Sequence, residues 1–415
     1  MNRSAPWIIG LAAIALACSK TDKPVFTMAH FKSDPAPAGP LNGLFLTTDN
    51  GSDLLSAVDP VARTVKWSIP VGFIPVELEG PHHITADPAG QFVYVNLSEA
   101  VVGSGSGPHG SHGTGTIPGF VLKIRTSDSS QVAFAQVDPN PGDLIITADG
   151  KTLYVTHYDL LKLGIGVQAG DLRQGDSNLA VIDAASMMVT KKVPICPAAH
   201  GLRLSPDART LYATCLTDEI AVVDVSDPSL PVQRVLLPSS SETPSCSHCP
   251  YALSVAPDGA VWVSNLGKGG GTTGGGSVNV YDPVAKAFDP ARTANFCGRA
   301  LFSAFAPAPG GSPGYLVYVP EQGSNCGDFV RVFRSGGPGQ APPTAGFIQF
   351  TRAECLNAHI LNLSADGKTG YLVCEGDHTG PGSFVFLDLQ ALTTTASVPL
   401  AVFPDGMVLV PGGTP

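Results

Sequence analysis

The stretch CPAAHGLRLSPDARTLYATC, residues 196–215, has two short apolar runs on either side of a Ser-Pro-Asp turn, with a cysteine at each end. The stretch CLNAHILNLSADGKTGYLVC, residues 355–374, repeats this arrangement with its cysteines and histidine at the same offsets. Alternating apolar residues interrupted by a turn that contains Asp or Gly predict a β-hairpin. The same hairpin pattern at two distant places in one sequence is typical of a repeat protein.

The hairpin pattern recurs along the chain. Further copies are PHHITADPAGQFVYVN at 81–96, NPGDLIITADGKTLYVTH at 140–157, CPYALSVAPDGAVWVSN at 249–265 and a degenerate copy at 297–321. Each hairpin is followed by a second pair of strand-like runs, as in NLAVIDAASMMVTKKVPI at 178–195. The repeating unit is therefore four antiparallel strands in roughly 40–60 residues, the length of a propeller blade.

The two ends of the repeat region complete each other. Residues 43–72 contain the last three strands of a unit, and residues 403–411 contain a first strand without a unit. Between them lie six units, which begin near residues 81, 140, 197, 250, 298 and 356. We therefore predict an all-β, seven-bladed β-propeller over residues 42–411, built of four-stranded antiparallel blades, with one blade shared by the N- and C-terminal strands.

Several of these segments resemble the YVTN-type repeats of bacterial seven-bladed propellers. The resemblance lies in DGKTLYVTH, GQFVYVNL and third strands such as AVVDV and AVIDA, and it extends from about residue 43 to residue 411. Propellers of this kind include binding proteins, surface-layer proteins, lactonases and cofactor-bearing enzymes. The resemblance therefore implies the fold and leaves the function open.

Residues 1–17 are typical of an export signal. Arg3 is the only early charge, and the apolar run over residues 7–16 is too short to span a bilayer as a stable anchor. Ala15-Leu16-Ala17 fits an ordinary cleavage site. The same stretch also resembles a bacterial lipobox, in which Cys18 becomes the lipidated N-terminus, although Ala15 stands where Leu is usual.

The cysteine count favours the lipobox. The chain has nine cysteines, and an exported protein with an odd number leaves one thiol unpaired. If Cys18 carries lipid, the other eight can pair completely. Residues 18–41 then form a polar, Pro-rich tether. We predict a lipoprotein of the bacterial cell envelope, in the periplasm or anchored to the outer membrane through Cys18.

The other cysteines occupy corresponding positions in different blades. One group precedes an innermost strand and the other lies at or beyond the end of a second strand, so the fold brings the two groups together. The predicted disulfides are Cys196–Cys215, Cys297–Cys326, Cys355–Cys374 and Cys246–Cys249. The alternative for the fourth pairs Cys215 with either cysteine of the CSHC segment. Such pairs form in an oxidising compartment.

One face of the predicted propeller carries the long loops. The turns between first and second strands are short, whereas the loops at 97–118, 158–177, 266–276 and 320–328 are long and varied. Insertions on one face usually mark the face that meets a partner. The insert GSGSGPHGSHGTGTIPG at 103–119 contains His109 and His112, which we interpret as incidental histidines of a flexible loop.

Polar side chains are expected at the mouth of the channel on this same face. His82, His200 and His359 begin innermost strands, Tyr251 occupies the equivalent place in blade five, and His157 and Glu321 end second strands. With Arg299 as a possible partner for an anion, the candidate channel-mouth site comprises His82, His157, His200, Tyr251, Arg299, Glu321 and His359. One interpretation is a repeat feature in which each imidazole bonds to backbone of its own blade. The other is a metal site, because His is a common ligand for transition metals.

Three functions fit these observations. The preferred one is an envelope-anchored, monomeric binding protein that recognises an envelope protein, a glycan or a small ligand with the long-loop face. The alternatives are a propeller enzyme of lactonase or lyase type, and a metal or cofactor carrier, which the adjacent His82 and His83 suggest. A formal net charge of −10 without a basic patch makes nucleic acid an unlikely partner. No cofactor is predicted, since Pro250 stands where c-type haem attachment needs His, but a metal ion fits the histidines.

Overall fold

A computed structural model describes residues 39–73, 78–99, 112–238, 246–268, 275–311, 313–323 and 326–412. The signal peptide predicted at residues 1–17, most of the tether predicted at residues 18–41, Cys18 and His109 lie outside the described residues. Within these ranges the chain forms 29 strands in seven antiparallel sheets. The all-β, seven-bladed propeller is confirmed.

The first three blades contain the N-terminal strands. In chain order these are β1 (Phe45–Asp49), β2 (Leu54–Asp59), β3 (Thr64–Pro70), β4 (Pro81–Ala86), β5 (Phe92–Leu97), β6 (Phe120–Arg125), β7 (Gln131–Gln136), β8 (Pro141–Ile146), β9 (Thr152–His157), β10 (Asp176–Asp183) and β11 (Met188–Pro197). The sheet of β4 to β7 is blade two, and the sheet of β8 to β11 is blade three.

Blades four to seven follow in the same order. Their strands are β12 (Ala199–Leu204), β13 (Thr210–Cys215), β14 (Glu219–Asp224), β15 (Val232–Leu236), β16 (Pro250–Val255), β17 (Val261–Asn265), β18 (Ser277–Asp282), β19 (Ala287–Asn295), β20 (Arg299–Ala300), β21 (Ala304–Pro307), β22 (Tyr315–Gln322), β23 (Phe329–Arg334), β24 (Thr344–Gln349), β25 (Ala358–Leu363), β26 (Thr369–Cys374), β27 (Pro381–Asp388) and β28 (Thr393–Val402). The last strand, β29 (Pro404–Leu409), completes blade one.

The ring closes as the sequence predicts. Strand β29 pairs antiparallel with β1, with Phe45 opposite Leu409, so the innermost strand of blade one comes from the other end of the chain. The first strands of neighbouring blades contact one another and surround the channel. Apolar residues fill the space between blades, as where Leu46 and Leu55 of blade one pack in one core with Val93 and Val95 of blade two.

Blade six departs from the regular pattern. Its first strand is broken into β20 and β21, and the intervening Phe302 forms an isolated bridge to Ile360 of blade seven. The degenerate sequence of this blade is therefore reflected in its innermost strand. The break places the Phe302 ring beside the channel histidines, with its centroid 5.4 Å from that of His83.

The loop predicted at 158–177 contains a helix. Helix α1 (Leu160–Ala169) begins after Asp159, whose carboxylate accepts a hydrogen bond from the Lys162 backbone N–H at 2.9 Å. It ends at Gly170, which has a left-handed φ of 68°. These are common helix start and stop signals. The remaining helical turns are 3-10 segments at Asn50–Ser52, Leu172–Gly175 and Pro309–Gly311. Among the described residues, no helix combines the length and apolar character needed to cross a bilayer.

The four predicted disulfides are confirmed. The pairs Cys196–Cys215 and Cys355–Cys374 join corresponding hairpin ends in blades four and seven, with Cα–Cα distances of 5.7 Å and 5.4 Å. The other two are Cys297–Cys326 and Cys246–Cys249. Four disulfides indicate an oxidising, extracytoplasmic compartment.

Candidate metal centre in the central channel

A bulge at the start of each regular innermost strand turns side chains toward the channel. In blade two, Pro81 pairs with Leu97 and Ile84 pairs with Val95, so His82 and His83 together occupy the place of one residue. Such a bulge re-aims neighbouring side chains. Equivalent register shifts occur at 141–144, 199–202, 250–252 and 358–360.

In blades two and three, a polar side chain on the second strand fixes the bulge. The Thr156 hydroxyl accepts a hydrogen bond from the Asp143 backbone N–H at 3.0 Å and donates one to the His200 carbonyl of the next blade at 2.5 Å. Asn96 makes the equivalent pair, accepting from the His83 N–H at 2.5 Å and donating to the Gly142 carbonyl at 2.7 Å. Thr156 and Asn96, from the YVTH and YVN segments, thus hold the innermost strands of blades two to four in register.

Three channel histidines share one hydrogen-bonding pattern. The Nδ1 atoms of His82, His200 and His359 lie 3.2, 3.1 and 3.0 Å from backbone carbonyls at Pro141, Tyr251 and Asp405, respectively. Each carbonyl belongs to the next blade, not to the histidine's own blade as expected from the sequence, because the bulge turns the ring along the circumference. A carbonyl only accepts, so Nδ1 carries the hydrogen and Nε2 presents its lone pair.

Two groups of buried side chains have metal-ligand geometry. The ligand atoms of His82, His83 and His200 lie within 4.8 Å of one another, and so do those of His82, His112 and Asp405. Both groups include His82, whose Nδ1 is already bonded to a carbonyl. Its one remaining ring nitrogen can serve only a single ion, so the two groups describe the surroundings of one position.

Carboxylates lie behind and between the imidazoles. Asp405 Oδ2 is 3.1 Å from His82 Nε2, and its Oδ1 is 3.1 Å from His359 Nδ1. Glu375 lies between two rings, with Oε1 3.8 Å from His359 Nε2 and Oε2 2.7 Å from His378 Nε2. The Glu375–His378 contact is a hydrogen bond, and a carboxylate in such a contact orients the imidazole beside it.

Burial sets the protonation of the centre. Desolvation lowers the pKa of His82, His83 and His200 well below the ordinary value of an imidazole, and it lowers the pKa of His112 to about 3. Desolvation also raises the pKa of Asp405 well above the ordinary carboxyl value. The rings are therefore neutral at neutral pH, which is the form that binds metal ions.

Aromatic rings enclose the centre. The His200 ring stacks on Tyr251 with centroids 3.8 Å apart, and Tyr158 meets it edge-on at 5.4 Å. On another side, Phe403 stacks on His378 at 3.8 Å. These apolar walls lower the local dielectric, which strengthens the interaction of any bound cation with its ligands.

The structure brings together four of the seven candidate residues of the sequence, namely His82, His200, Tyr251 and His359. The other three also have hydrogen-bond partners outside these four, and Arg299 is near enough to Glu375 of the centre for that carboxylate to oppose the lowering of the Arg299 pKa by burial. His157 Nδ1 bonds to the Asn178 carbonyl at 2.6 Å, Glu321 accepts from Arg331 Nε at 2.5 Å, and Arg299 Nη1 donates to Gln322 Oε1 at 3.1 Å.

Sequence reasoning missed several groups in the centre and beside it. Asp143, Glu375, Asp405 and Arg203 were not among the candidates, and His112, interpreted as incidental, is 1% exposed and stacks on His82 at 4.4 Å. Asp405 begins β29 as His82 begins β4. The signal was therefore present in FPDGMVLVP, in which Asp405 aligns with the repeated histidine.

The fold and this site define a class: an extracytoplasmic seven-bladed propeller with a buried centre of histidines and carboxylates. The chain is similar in fold to a functionally unknown protein from Desulfotomaculum acetoxidans DSM 771, at 11% identity over 88% of this chain and 98% of that one, with a TM-score of 0.62. It is also similar to the periplasmic gluconolactonase of Pseudomonas aeruginosa, at 16% identity over 89% and 99%, with a TM-score of 0.60. A third neighbour is a putative 6-phosphogluconolactonase from Bacteroides uniformis ATCC 8492, at 12% identity over 88% and 98%, with a TM-score of 0.59.

These likenesses extend over whole propellers and establish the fold. No family model matches the chain, and no curated protein sequence matches it. The neighbours therefore leave the chemistry of the centre to be argued from the residues of this chain.

Proposed function

We propose that the protein binds a single divalent transition-metal ion in its central channel. The observation that carries the proposal is the convergence of His82, His83 and His200, three buried imidazoles with ligand atoms within 4.8 Å of one another. Asp405 and His112 approach His82 from another side and complete a set of nitrogen and oxygen ligands. Imidazole-rich sets of this kind suit zinc, copper, iron or nickel, and carboxylate-only sites suit magnesium or calcium.

The charges around the centre support a cation. Asp405 and Glu375 are fully buried, and the charges of Glu375 and Asp143 add to desolvation in raising the pKa of Asp405. A buried carboxylate is costly unless a positive charge is close. A divalent ion held by neutral imidazoles supplies that charge where these carboxylates meet.

The test is metal analysis of protein purified without chelator or affinity tag. We expect about one transition-metal ion per chain, and His200→Gln should weaken binding by more than the roughly 10–100-fold that loss of an outer hydrogen-bond partner costs. The matched control is His157→Gln, which replaces a buried histidine outside the centre and should retain the metal. Equal metal loss in both variants, or none in either, would contradict the site.

A second candidate function is hydrolysis of a lactone at this centre. It is supported by the gluconolactonase and 6-phosphogluconolactonase names of two neighbours that match the whole propeller. A bound divalent ion would supply a Lewis acid for the lactone carbonyl and lower the pKa of water. Glucono-lactone turnover that disappears on chelation would support this candidate, and turnover in metal-free protein would contradict it.

Binding through the long-loop face and attachment to the envelope by Cys18 remain predictions. Helix α1 and the loops around it give that face a defined surface, which would lower the ordering cost of association with an envelope partner. Truncating residues 160–169 should abolish co-purification of such a partner and leave the metal in place. Co-purification that survives the truncation would count against a partner at this surface.

A further inference from the structure

Arg203 carries a positive charge next to the centre and takes no part in the proposed metal binding. Its Nη1 donates to Asp143 Oδ2 at 2.6 Å and to the Leu202 carbonyl at 2.5 Å. The same Asp143 places Oδ1 3.6 Å from His83 Nδ1. A single carboxylate therefore spans the gap between the guanidinium and a ligand of the centre.

The guanidinium lies in the channel and belongs to no single blade interface. Arg203 comes from blade four, contacts Asp143 of blade three, and places its guanidinium carbon 5.1 Å from the ring centroid of Phe302 in blade six. It stands three residues beyond His200 on β12, which is about 10 Å along a strand toward the tight-turn end. Arg203 thus faces the centre from the side opposite to the long loops.

The side chain of Arg203 is more exposed to solvent than those of Asp143 and His83. Its side chain is 27% exposed, whereas those of Asp143 and His83 are 4% and 3% exposed. Arg203 donates hydrogen bonds through Nη1 alone, and its Nε and Nη2 donate to none of the residues that the structure describes. A guanidinium edge that is open to solvent and backed by an aromatic ring matches the two oxygens of a carboxylate or phosphate.

We infer that a small anion enters the channel from the tight-turn end and binds at Arg203, next to the metal. The ligand class is a small organic acid or phosphate ester, with its anionic group on Nε and Nη2 of Arg203 and the rest of the molecule directed toward His83. The inference rests on the proposed metal centre for the role of the anion. Its binding to Arg203 depends only on the guanidinium.

The probes are inorganic phosphate and acetate, each titrated calorimetrically into the metal-loaded full-length protein. We expect Arg203→Met to raise the phosphate dissociation constant at least tenfold and to keep the metal content of wild type. Arg203→Lys should give an intermediate value, because it keeps the positive charge and loses the planar pair of guanidinium N–H donors. Arg209→Met removes an exposed arginine of the same blade and should bind as wild type does. Tighter binding of phosphate than of acetate assigns a phosphate ester, and the reverse assigns a carboxylate.

Two results would overturn the inference: phosphate affinity unchanged in Arg203→Met, or neither anion bound by wild type. Failure of the metal proposal is distinguishable, because it appears as wild-type protein without metal, in which the anion titration can still be performed. If Arg203→Met destabilises the protein by leaving Asp143 without its partner, Arg203→Lys decides. A phosphate dissociation constant for Arg203→Lys equal to that of wild type would then contradict recognition by the paired N–H donors of the guanidinium.

Discussion

Burial decides the protonation of the histidines in this channel. The buried channel histidines among the described residues are His82, His83, His112, His200 and His359. Desolvation is the largest cause of the lowered pKa at each. An imidazole that is already neutral has no proton to release before it binds a metal ion. The centre is therefore prepared for a cation over the whole neutral pH range.

His157 offers a measurement of this desolvation apart from the centre. Burial lowers its pKa from 6.5 to about 4. Because the unfolded chain takes up the proton first as the pH falls, this group contributes its full stability above pH 6.5 and loses it progressively toward pH 4. We expect wild type to lose about 3 kcal/mol more unfolding free energy than His157→Gln between pH 7.5 and pH 4. Denaturant unfolding at both pH values checks this, and parallel pH profiles would contradict it.

At the scale of elements, the bulge of an innermost strand and the polar side chain on the neighbouring second strand act together. In blade two the bulge places His82 and His83 together, and Asn96 of the second strand holds that geometry by bonding to the Gly142 carbonyl of blade three. The paired strands were predictable because apolar alternation and turn residues specify them locally. The bulge was not, because a register shift of one residue depends on the partner strand and leaves no mark in the strand's own periodicity.

Thr156→Val tests the contribution of this second-strand side chain. The change is nearly isosteric, but it removes the acceptor of the Asp143 N–H and the donor to the His200 carbonyl, both of which are buried. Unsatisfied buried groups cost about 1–3 kcal/mol each, so we expect a fall in unfolding free energy of at least about 1 kcal/mol. Thr190→Val, which removes an exposed bond to the Val181 carbonyl, is the control. Equal stability of the two variants would show that Thr156 does not hold the ring.

Over the whole molecule, closure by both chain ends was predictable and the assembled site was only partly so. Complementary strand fragments at 43–72 and 403–411 required a shared blade, because an unpaired strand edge is unfavourable. The equivalent positions of His82, His200 and His359 predicted their meeting. Asp143 and Glu375 come from different positions in their repeats, so only the folded ring shows that they face the same centre.

Deleting residues 403–415 tests ring closure. The deletion removes β29, exposes the edge of β1 and takes Asp405 from the centre. We expect insoluble protein or a large drop in melting temperature, measured by thermal unfolding. Deleting residues 413–415 alone is the control and should leave the melting temperature unchanged. A soluble 403–415 deletion that melts like wild type would refute the shared blade.

We predict that Cys18 anchors the whole molecule to the membrane. If this residue is lipidated at the mature N-terminus, two acyl signals make membrane attachment durable. Cys18→Ser should then release the protein from the membrane pellet into the soluble fraction, with the four disulfides intact. Fractionation checks the release, and mass spectrometry of the mature N-terminus checks the lipid. An unmodified Cys18 at the N-terminus would rule lipidation out.

The central claim is that one transition-metal ion occupies the propeller channel, and anomalous X-ray scattering tests it most directly. Crystals of protein purified without chelator should give a single strong anomalous peak at the absorption edge of the bound metal. We expect this peak within bonding distance of Nε2 of His82 and Nε2 of His200, with a nitrogen of His83 as a further ligand. Fully loaded protein whose only anomalous peaks lie outside the channel would contradict it.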